Sequence, residues 1–211
     1  MRVAFIGDVH GDVAALAWAL SATKDVPRRI CLGDVVDGPP SGDVECVAML
    51  QRAGLEVLQG NHDHWAAESH FVSNPQSESV RRWLAGLPRQ VADGDWMAWH
   101  TRFQVVGNEV HWDYLTDEPA VRRVFESEAA SVILCGHTHV PAVYRLRHGV
   151  IQVIPGRQLQ VAPTVHLDEG DRVLVHIGRP TQCVVVYGDR KLSFTFRPTP
   201  RFERRFSHLL G

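Results

Sequence analysis

The chain opens with a short apolar run, Arg2 to Ile6, that stops at Gly7, as a buried strand ending in a tight loop does. Val13 to Leu20 is too continuously apolar for a strand with one wet face and is dominated by Ala and Leu, which predicts a mostly buried helix. The unit then recurs. Arg29 to Leu32 predicts a second strand, the turn residues Gly38-Pro39-Pro40-Ser41-Gly42 precede a helix from Asp43 to Arg52, and Glu56 to Leu58 predicts a third strand. Ser77 to Leu87 has a capping-type start and helical apolar spacing, closed by Pro88. Trp96 to Trp99 predicts a strand ending at His100. A polar loop carrying Trp112-Asp113-Tyr114 follows, then a short helix from Glu118 to Glu126 and a strand from Val132 to Cys135. Beyond Pro141 the style changes to strands separated by turns: Ala142 to Leu146, Val150 to Ile154, Arg172 to Ile177, Cys183 to Tyr187 and Leu192 to Phe196. Alternating α/β units with a β-rich tail predict a layered α/β sandwich. No repeat, low-complexity tract or long linker divides it, so residues 1–211 are read as a single domain.

Four short segments follow predicted strands or cross their ends, and each carries metal-binding side chains: Gly7-Asp8-Val9-His10-Gly11, Gly33-Asp34-Val35-Val36-Asp37, Gly60-Asn61-His62-Asp63 and Gly136-His137-Thr138-His139. Loops at the carboxyl ends of sheet strands are where open α/β proteins collect binding residues, so distant segments can converge. Mixed oxygen and nitrogen donors suit manganese, iron, zinc, cobalt or nickel better than calcium. The adjacent glycines let the loops turn sharply or bring backbone close to the site. Singly, each segment has a plainer reading: Asp8 could cap the following helix, and Asp34 with Asp37 could form a solvated turn. Four in this order make an unrelated structural explanation improbable.

Composition narrows the class further. The 211 residues suffice for one substantial core, and the formal net charge of −2 offers nucleic acid no global basic field while leaving a local patch open. No apolar run approaches a membrane span, and the start shows neither a charged leader region nor a cleavage site, so a cytoplasmic protein without membrane contact is expected. Cys31, Cys46, Cys135 and Cys183 form no CxxC pair and read as reduced core residues.

Taken together, the four segments resemble the calcineurin-like metallophosphoesterases, a superfamily marked by Asp-x-His, Gly-Asp-x-x-Asp, Gly-Asn-His-Asp/Glu and Gly-His-x-His. The likeness spans roughly the whole chain. It implies a four-layer α/β/β/α sandwich of two mixed β-sheets flanked by helices. It also implies two divalent cations, manganese first, with iron, zinc, nickel or cobalt as alternatives. Asp8, His10 and His139 would bind one metal; Asn61, His100 and His137 would bind the other; Asp34 would bridge them. Asn61 would also contact substrate phosphate, His62 would contact that phosphate or protonate the leaving group, and Asp37 would orient His62. His100 is followed by Thr101 where the family often has Gly, and His111 is the reserve ligand. The remaining histidines, including His64, His70, His148, His166, His176 and His208, read as surface or packing residues.

The implied reaction is phosphoester hydrolysis by a water shared between two metals, attacking phosphorus in line with the leaving oxygen. Compact bacterial phosphodiesterases are the nearest group. Dinucleoside polyphosphate hydrolases and Ser/Thr protein phosphatases are alternatives, and a metal-binding assembly scaffold is the non-enzymatic one. Protein phosphatases carry Asp-Arg-Gly and Arg-Gly-Asn-His-Glu, whereas here Asp37 is followed by Gly38-Pro39 and Gln59 precedes Gly60. The Asn-Pro-Gly-Ser segment of the phosphodiesterase group corresponds to His176-Ile177-Gly178-Arg179-Pro180. A phosphoester substrate, with nucleotide or nucleic acid left open, and a homo-oligomer are compatible with the chain. Trp65 and Trp112 are candidates for stacking on a base but read first as packing, Arg157 and Arg179 read as solvated, and Arg201 to Leu210 as a surface helix or frayed end.

Overall fold

The computed structural model describes residues 2–37, 42–68, 75–107, 109–180 and 182–198. The turn at Gly38 to Ser41, His70, and the tail with His208 lie outside them. Two six-stranded sheets face one another. The first runs β11 (Thr164–His166), β14 (Lys191–Phe196), β13 (Cys183–Gly188), β1 (Val3–Ile6), β2 (Arg28–Cys31) and β3 (Glu56–Val57). The second runs β10 (Val150–Pro155), β9 (Ala142–Arg147), β12 (Arg172–His176), β8 (Val132–Cys135), β5 (Trp96–Trp99) and β4 (Gln90–Asp93).

Strands β1, β2 and β3 are parallel, and β1 pairs antiparallel with β13. Strands β5, β8 and β12 are likewise parallel, with β9 antiparallel to β12. Both sheets are therefore mixed. Their inner faces, with Phe5, Ile30, Leu32, Trp96, Leu134, Val173 and Val185 among them, share one dry core. β1 and β8 are buried at every position, which explains their unbroken apolar sequences.

Helices α1 (Val13–Ala22), α2 (Asp43–Ala53) and α4 (Pro75–Ala85) cover the outer face of the first sheet, packing Leu16, Ala19, Val47, Leu50 and Leu84 on Ile6, Cys31 and Val184. Helix α5 (Glu118–Ser127) covers the second with Ala120, Val121, Val124 and Phe125, one stripe at helical spacing. The result is the α/β/β/α sandwich the resemblance implies. Asp12, not Asp8, caps α1, its carboxylate accepting the Ala15 N–H at 2.8 Å, while Asp117 caps α5 the same way. Gly54, at φ 64°, ends α2 in the left-handed conformation that closes a helix.

Several elements differ from the sequence reading. The supposed polar loop before Tyr114 is a hairpin, β6 (Phe103–Val106) with β7 (Glu109–Trp112); the two-residue connection beginning at Gly107 is its turn signal. The Asn61 segment is the first turn of α3 (Asn61–Glu68), whose polar sequence shows no apolar period. Edge strand β4 is mostly exposed and carries no apolar run, while the three-residue β11 and the six-residue α6 (Gly156–Val161) are too short to announce themselves. All four cysteines are buried and free. No helix among the described residues is long and apolar enough to cross a membrane.

At the end of the second sheet, Asp171 accepts two hydrogen bonds from Arg147, at 2.7 and 2.8 Å, and one from the Asp168 N–H. The Arg147 guanidinium holds the Asp171 carboxyl down, from its ordinary 3.8 to about 2. A depressed carboxylate stabilises the fold fully above its unfolded pKa, and that contribution is lost as pH falls through the folded one. Asp171→Asn should therefore destabilise the protein at neutral pH, by a margin that shrinks between pH 4 and pH 2. Urea unfolding across that range checks it; a margin independent of pH would disprove the linkage.

Candidate metal centre

All four ligand segments meet at one end of the sandwich, where the parallel strands of both sheets finish. Backbone pairing carries β1 and β2 on past their ends: the Asp8 N–H donates to Gly33 O at 3.2 Å, His10 to Asp34 O at 2.8 Å and Gly11 to Val35 O at 2.9 Å. In the second sheet, Gly136 N–H reaches His100 O at 2.8 Å. The first and fourth segments close across the sandwich, His137 N–H donating to Asp8 Oδ1 at 2.7 Å.

Glycines permit this approach by lacking a side chain. A Cβ at Gly60 would lie 2.2 Å from Asp34 Oδ1, and one at Gly136 would lie 2.7 Å from Asp8 Oδ2. The sharp turns fall largely on the candidate ligands themselves: Asp8 (φ 52°), His10 (48°), Asp34 (49°), His137 (66°) and His139 (59°) are all left-handed. For L-residues that conformation costs roughly 1–2 kcal/mol each, a strain that concentrates where function is.

The side chains form two groups of candidate ligands, and His10 also belongs to a third cluster with Asp37 and His62. Asp8, His10, Asp34 and His139 offer donors to one point; Asp34, His100 and His137 offer them to another. Asp34 belongs to both, its Oδ2 lying 3.6 Å from His10 Nε2 and 3.3 Å from His100 Nε2. Asn61 Oδ1 completes the second group, 3.0 Å from His100 Nε2 and 2.9 Å from His137 Nδ1. His10 Nε2 faces His139 Nε2 at 3.0 Å, and His139 Nε2 is 3.6 Å from Asp8 Oδ1.

These residues fit two divalent cations. Ligands at metal bonds of about 2.0–2.2 Å stand roughly 3.0–3.6 Å apart around the ion, the spacing seen in both groups. Asp8 Oδ2 and His137 Nε2 are buried with no hydrogen-bond partner, a costly state for polar atoms unless a further group completes the site. His100 Nδ1 is 3.1 Å from the Leu32 carbonyl, to which it donates, so its ring is aimed by backbone and its Nε2 turned into the site. His111 sits on the exposed hairpin opposite Gln104 and outside every ligand grouping among the described residues.

Asp37 lies beside His62, as the resemblance implies, and also reaches a second histidine. Its Oδ1 is 3.0 Å from His10 Nδ1 and 3.3 Å from His62 Nδ1, so it serves a ligand-group histidine as closely as the half-buried His62. His62 packs edge-on against His10, with ring centroids 4.7 Å apart, and its backbone N–H donates to Asp34 Oδ1 at 2.9 Å.

Sequence reasoning gave Asp63 no role. It is fully buried; Oδ1 accepts the N–H groups of Val35 and, at 3.3 Å, Val36, and Oδ2 that of Gly60, tying the second segment to the third. A carboxylate three residues after the residue preceding a helix is a capping signal, and that spacing was visible. Trp112 is partly buried, wedged against His64, His100 and Phe103, so it packs beneath the centre. Arg157 is exposed, whereas Arg179 is half-buried with its Nε hidden, and its charge reaches Asp8, His10 and His139. His176 is a satisfied core residue, donating from Nε2 to Leu115 O at 2.8 Å.

The electrostatics follow from burial. Desolvation, with Asp34 adding repulsion, raises Asp8 to about 7 against the pull of His100. Burial alone would lower His100, but the neighbouring Asp34 and Asp8 carboxylates outweigh it and lift it to about 9. Burial would likewise raise Asp34, yet His100, then His62 and His10, hold it below the ordinary carboxylate range. Desolvation, with neighbouring positive charge, drops His137 and His139 to about 4, leaving neutral imidazoles with lone pairs to offer.

The match to known proteins agrees with this arrangement. Residues 1–177 match the calcineurin-like phosphoesterase superfamily domain, and the chain belongs to that family. No curated protein matches it by sequence. Its fold is shared with a metallophosphoesterase from Sphaerobacter thermophilus, at 21% identity and TM-score 0.72 over 99% of this chain and 94% of that one. It is also shared with an archaeal phosphodiesterase (11%, TM-score 0.51, 93% and 100%) and a protein serine/threonine phosphatase from Saccharomyces cerevisiae (11%, 0.51, 94% and 80%).

Metal uptake needs ionised Asp8 and neutral His100, which without metal hold protons up to about pH 7 and about pH 9. Binding of manganese should therefore release protons, and its affinity should climb as pH rises from 6 to 9. Calorimetry in buffers of different ionisation enthalpy measures this; uptake without proton release would contradict the assignment of these two groups.

Proposed function

We propose that this chain hydrolyses phosphodiesters at a two-metal centre built from Asp8, His10, Asp34, Asn61, His100, His137 and His139. The carrying observation is Asp34 Oδ2, within reach of imidazole nitrogens from both ligand groups. Manganese suits the mixed carboxylate, amide and imidazole donors. When bound, the two metals supply Lewis-acid charge and a water that is acidic near neutral pH.

The chain's own residues supply the rest. His62 directs Nδ1 toward Asp37 and is one-third exposed, so its other nitrogen can meet substrate. As the oxygen of a water that has already given one proton to solvent bonds to phosphorus, the ester P–O bond breaks and a proton from the solvent-facing nitrogen of His62 passes to the departing alkoxide oxygen, which leaves as the alcohol. Arg179, whose charge reaches Asp8, His10 and His139, offsets charge on the phosphoryl oxygens, and Asn61 contacts them from the second donor group. Gln59 stands where protein phosphatases have arginine, and it is buried, donating to Leu84 O at 2.8 Å and accepting from Arg89 at 3.2 Å. That removes one phosphate-gripping cation, which supports a singly charged diester over a dianionic monoester. Four buried free cysteines support a reducing, cytoplasmic setting.

With manganese, kcat/KM for bis(p-nitrophenyl) phosphate should exceed that for p-nitrophenyl phosphate. No turnover of either with two metals bound would replace hydrolysis by an assembly scaffold. His62→Gln should lower kcat by roughly 10²–10⁴-fold with metal content kept. Asp34→Asn should cost more and lose metal; near-normal metal content and turnover would refute the bridging role.

A further inference from the structure

We infer that Trp65 and Tyr114 are stacking platforms at the two ends of the metal centre, and that the substrate is a phosphodiester bearing a nucleobase on each arm. The inference rests on the phosphodiesterase reading above and specifies its substrate.

Of the six tryptophans, Trp65 alone is exposed, at 51%, and Tyr114 is 65% exposed. Large rings left in water singly are ordinary, but these two sit on the reacting groups. The Trp65 ring centroid is 5.3 Å from that of His62, and the Tyr114 ring is 4.2 Å from that of His137. His62 adjoins His10 in the first ligand group, while His137 belongs to the second, so the rings mark opposite ends of the cluster.

Neither ring is loosely placed. Trp65 is three residues after His62 on α3, one turn along the same helix face. Tyr114 follows a hairpin whose base is pinned by Thr101 Oγ donating to Asp113 O at 2.6 Å and Asp113 N–H donating to Arg102 O at 2.9 Å. A diester has two organic arms. The departing one must lie by His62, hence by Trp65; the one retained then extends toward Tyr114. A monoester would use one ring and leave the other idle. Stacking on a planar base accepts either ring and needs no sequence-specific hydrogen bonds. With a net charge of −2, the chain offers no basic field for long nucleic acid, so a dinucleotide fits better than a polymer.

The test compares the p-nitrophenyl ester of thymidine monophosphate with methyl p-nitrophenyl phosphate, which share a leaving group, using the full chain with manganese. Dithymidine monophosphate serves as competitor. The unmodified protein should prefer the thymidine ester at least about tenfold in kcat/KM. Tyr114→Ala should shrink that preference, and Trp65→Ala should weaken the dinucleotide competitor, each by about 5- to 100-fold, while Tyr114→Phe and Trp65→Phe retain both. Equal kcat/KM for the two esters in the unmodified protein would overturn the inference while leaving the phosphodiesterase reading intact. So would alanine variants that lose metal with the preference unchanged, since the rings would then only brace the ligands. Failure to cleave either diester with metal bound would overturn both.

Discussion

Three carboxylates, Asp8, Asp34 and Asp63, are buried within one cluster of loops, and their mutual repulsion is the constraint the rest of this end of the molecule answers. Burial and Asp34 together push Asp63 to about 7, and the Gly60 N–H, the charge of His100 and the Val35 N–H pull the other way. Asp34 stays charged because His100, His62 and His10 surround it. The raised His100 places positive charge among these carboxylates, where a divalent cation would take over the same role.

Building that cluster strains the backbone, and the sandwich absorbs the cost. Five candidate ligand residues sit in left-handed conformations, while the dry interior between the sheets and the helices packed outside them provide rigidity with no role in chemistry. Backbone pairing between the two ligand loops of the first sheet, and between Gly136 and His100 in the second, holds the strained residues in register. The glycines at 60 and 136 contribute space and not torsional freedom, since the carboxylates of Asp34 and Asp8 occupy the volume their side chains would need.

Much of this was legible in sequence. The strands at Trp96 to Trp99 and Val132 to Cys135 coincide with the observed ones, because central strands buried on both faces leave unbroken apolar runs. Helix α3 and the β6–β7 hairpin were missed for opposite reasons: one has no apolar period, and the other keeps its valines Val105 and Val106 in solvent, so neither is announced by burial. At the site, residue types and order revealed which side chains gather. They did not reveal that Asp37 is shared between His10 and His62, or that Arg179 leans into the centre, because both depend on distances between loops far apart in the chain.

By itself, the sequence determined which side chains gather as candidate ligands, the order in which strands deliver them and the family to which the chain belongs, since strand-end motifs depend on local chemistry and short spacing. Only the tertiary structure decided which oxygen stands between the two groups, which imidazole keeps a proton, and which of the candidate aromatics faces water. Those outcomes arise from burial and from separations of a few ångströms across both sheets, and no stretch of chain carries them locally.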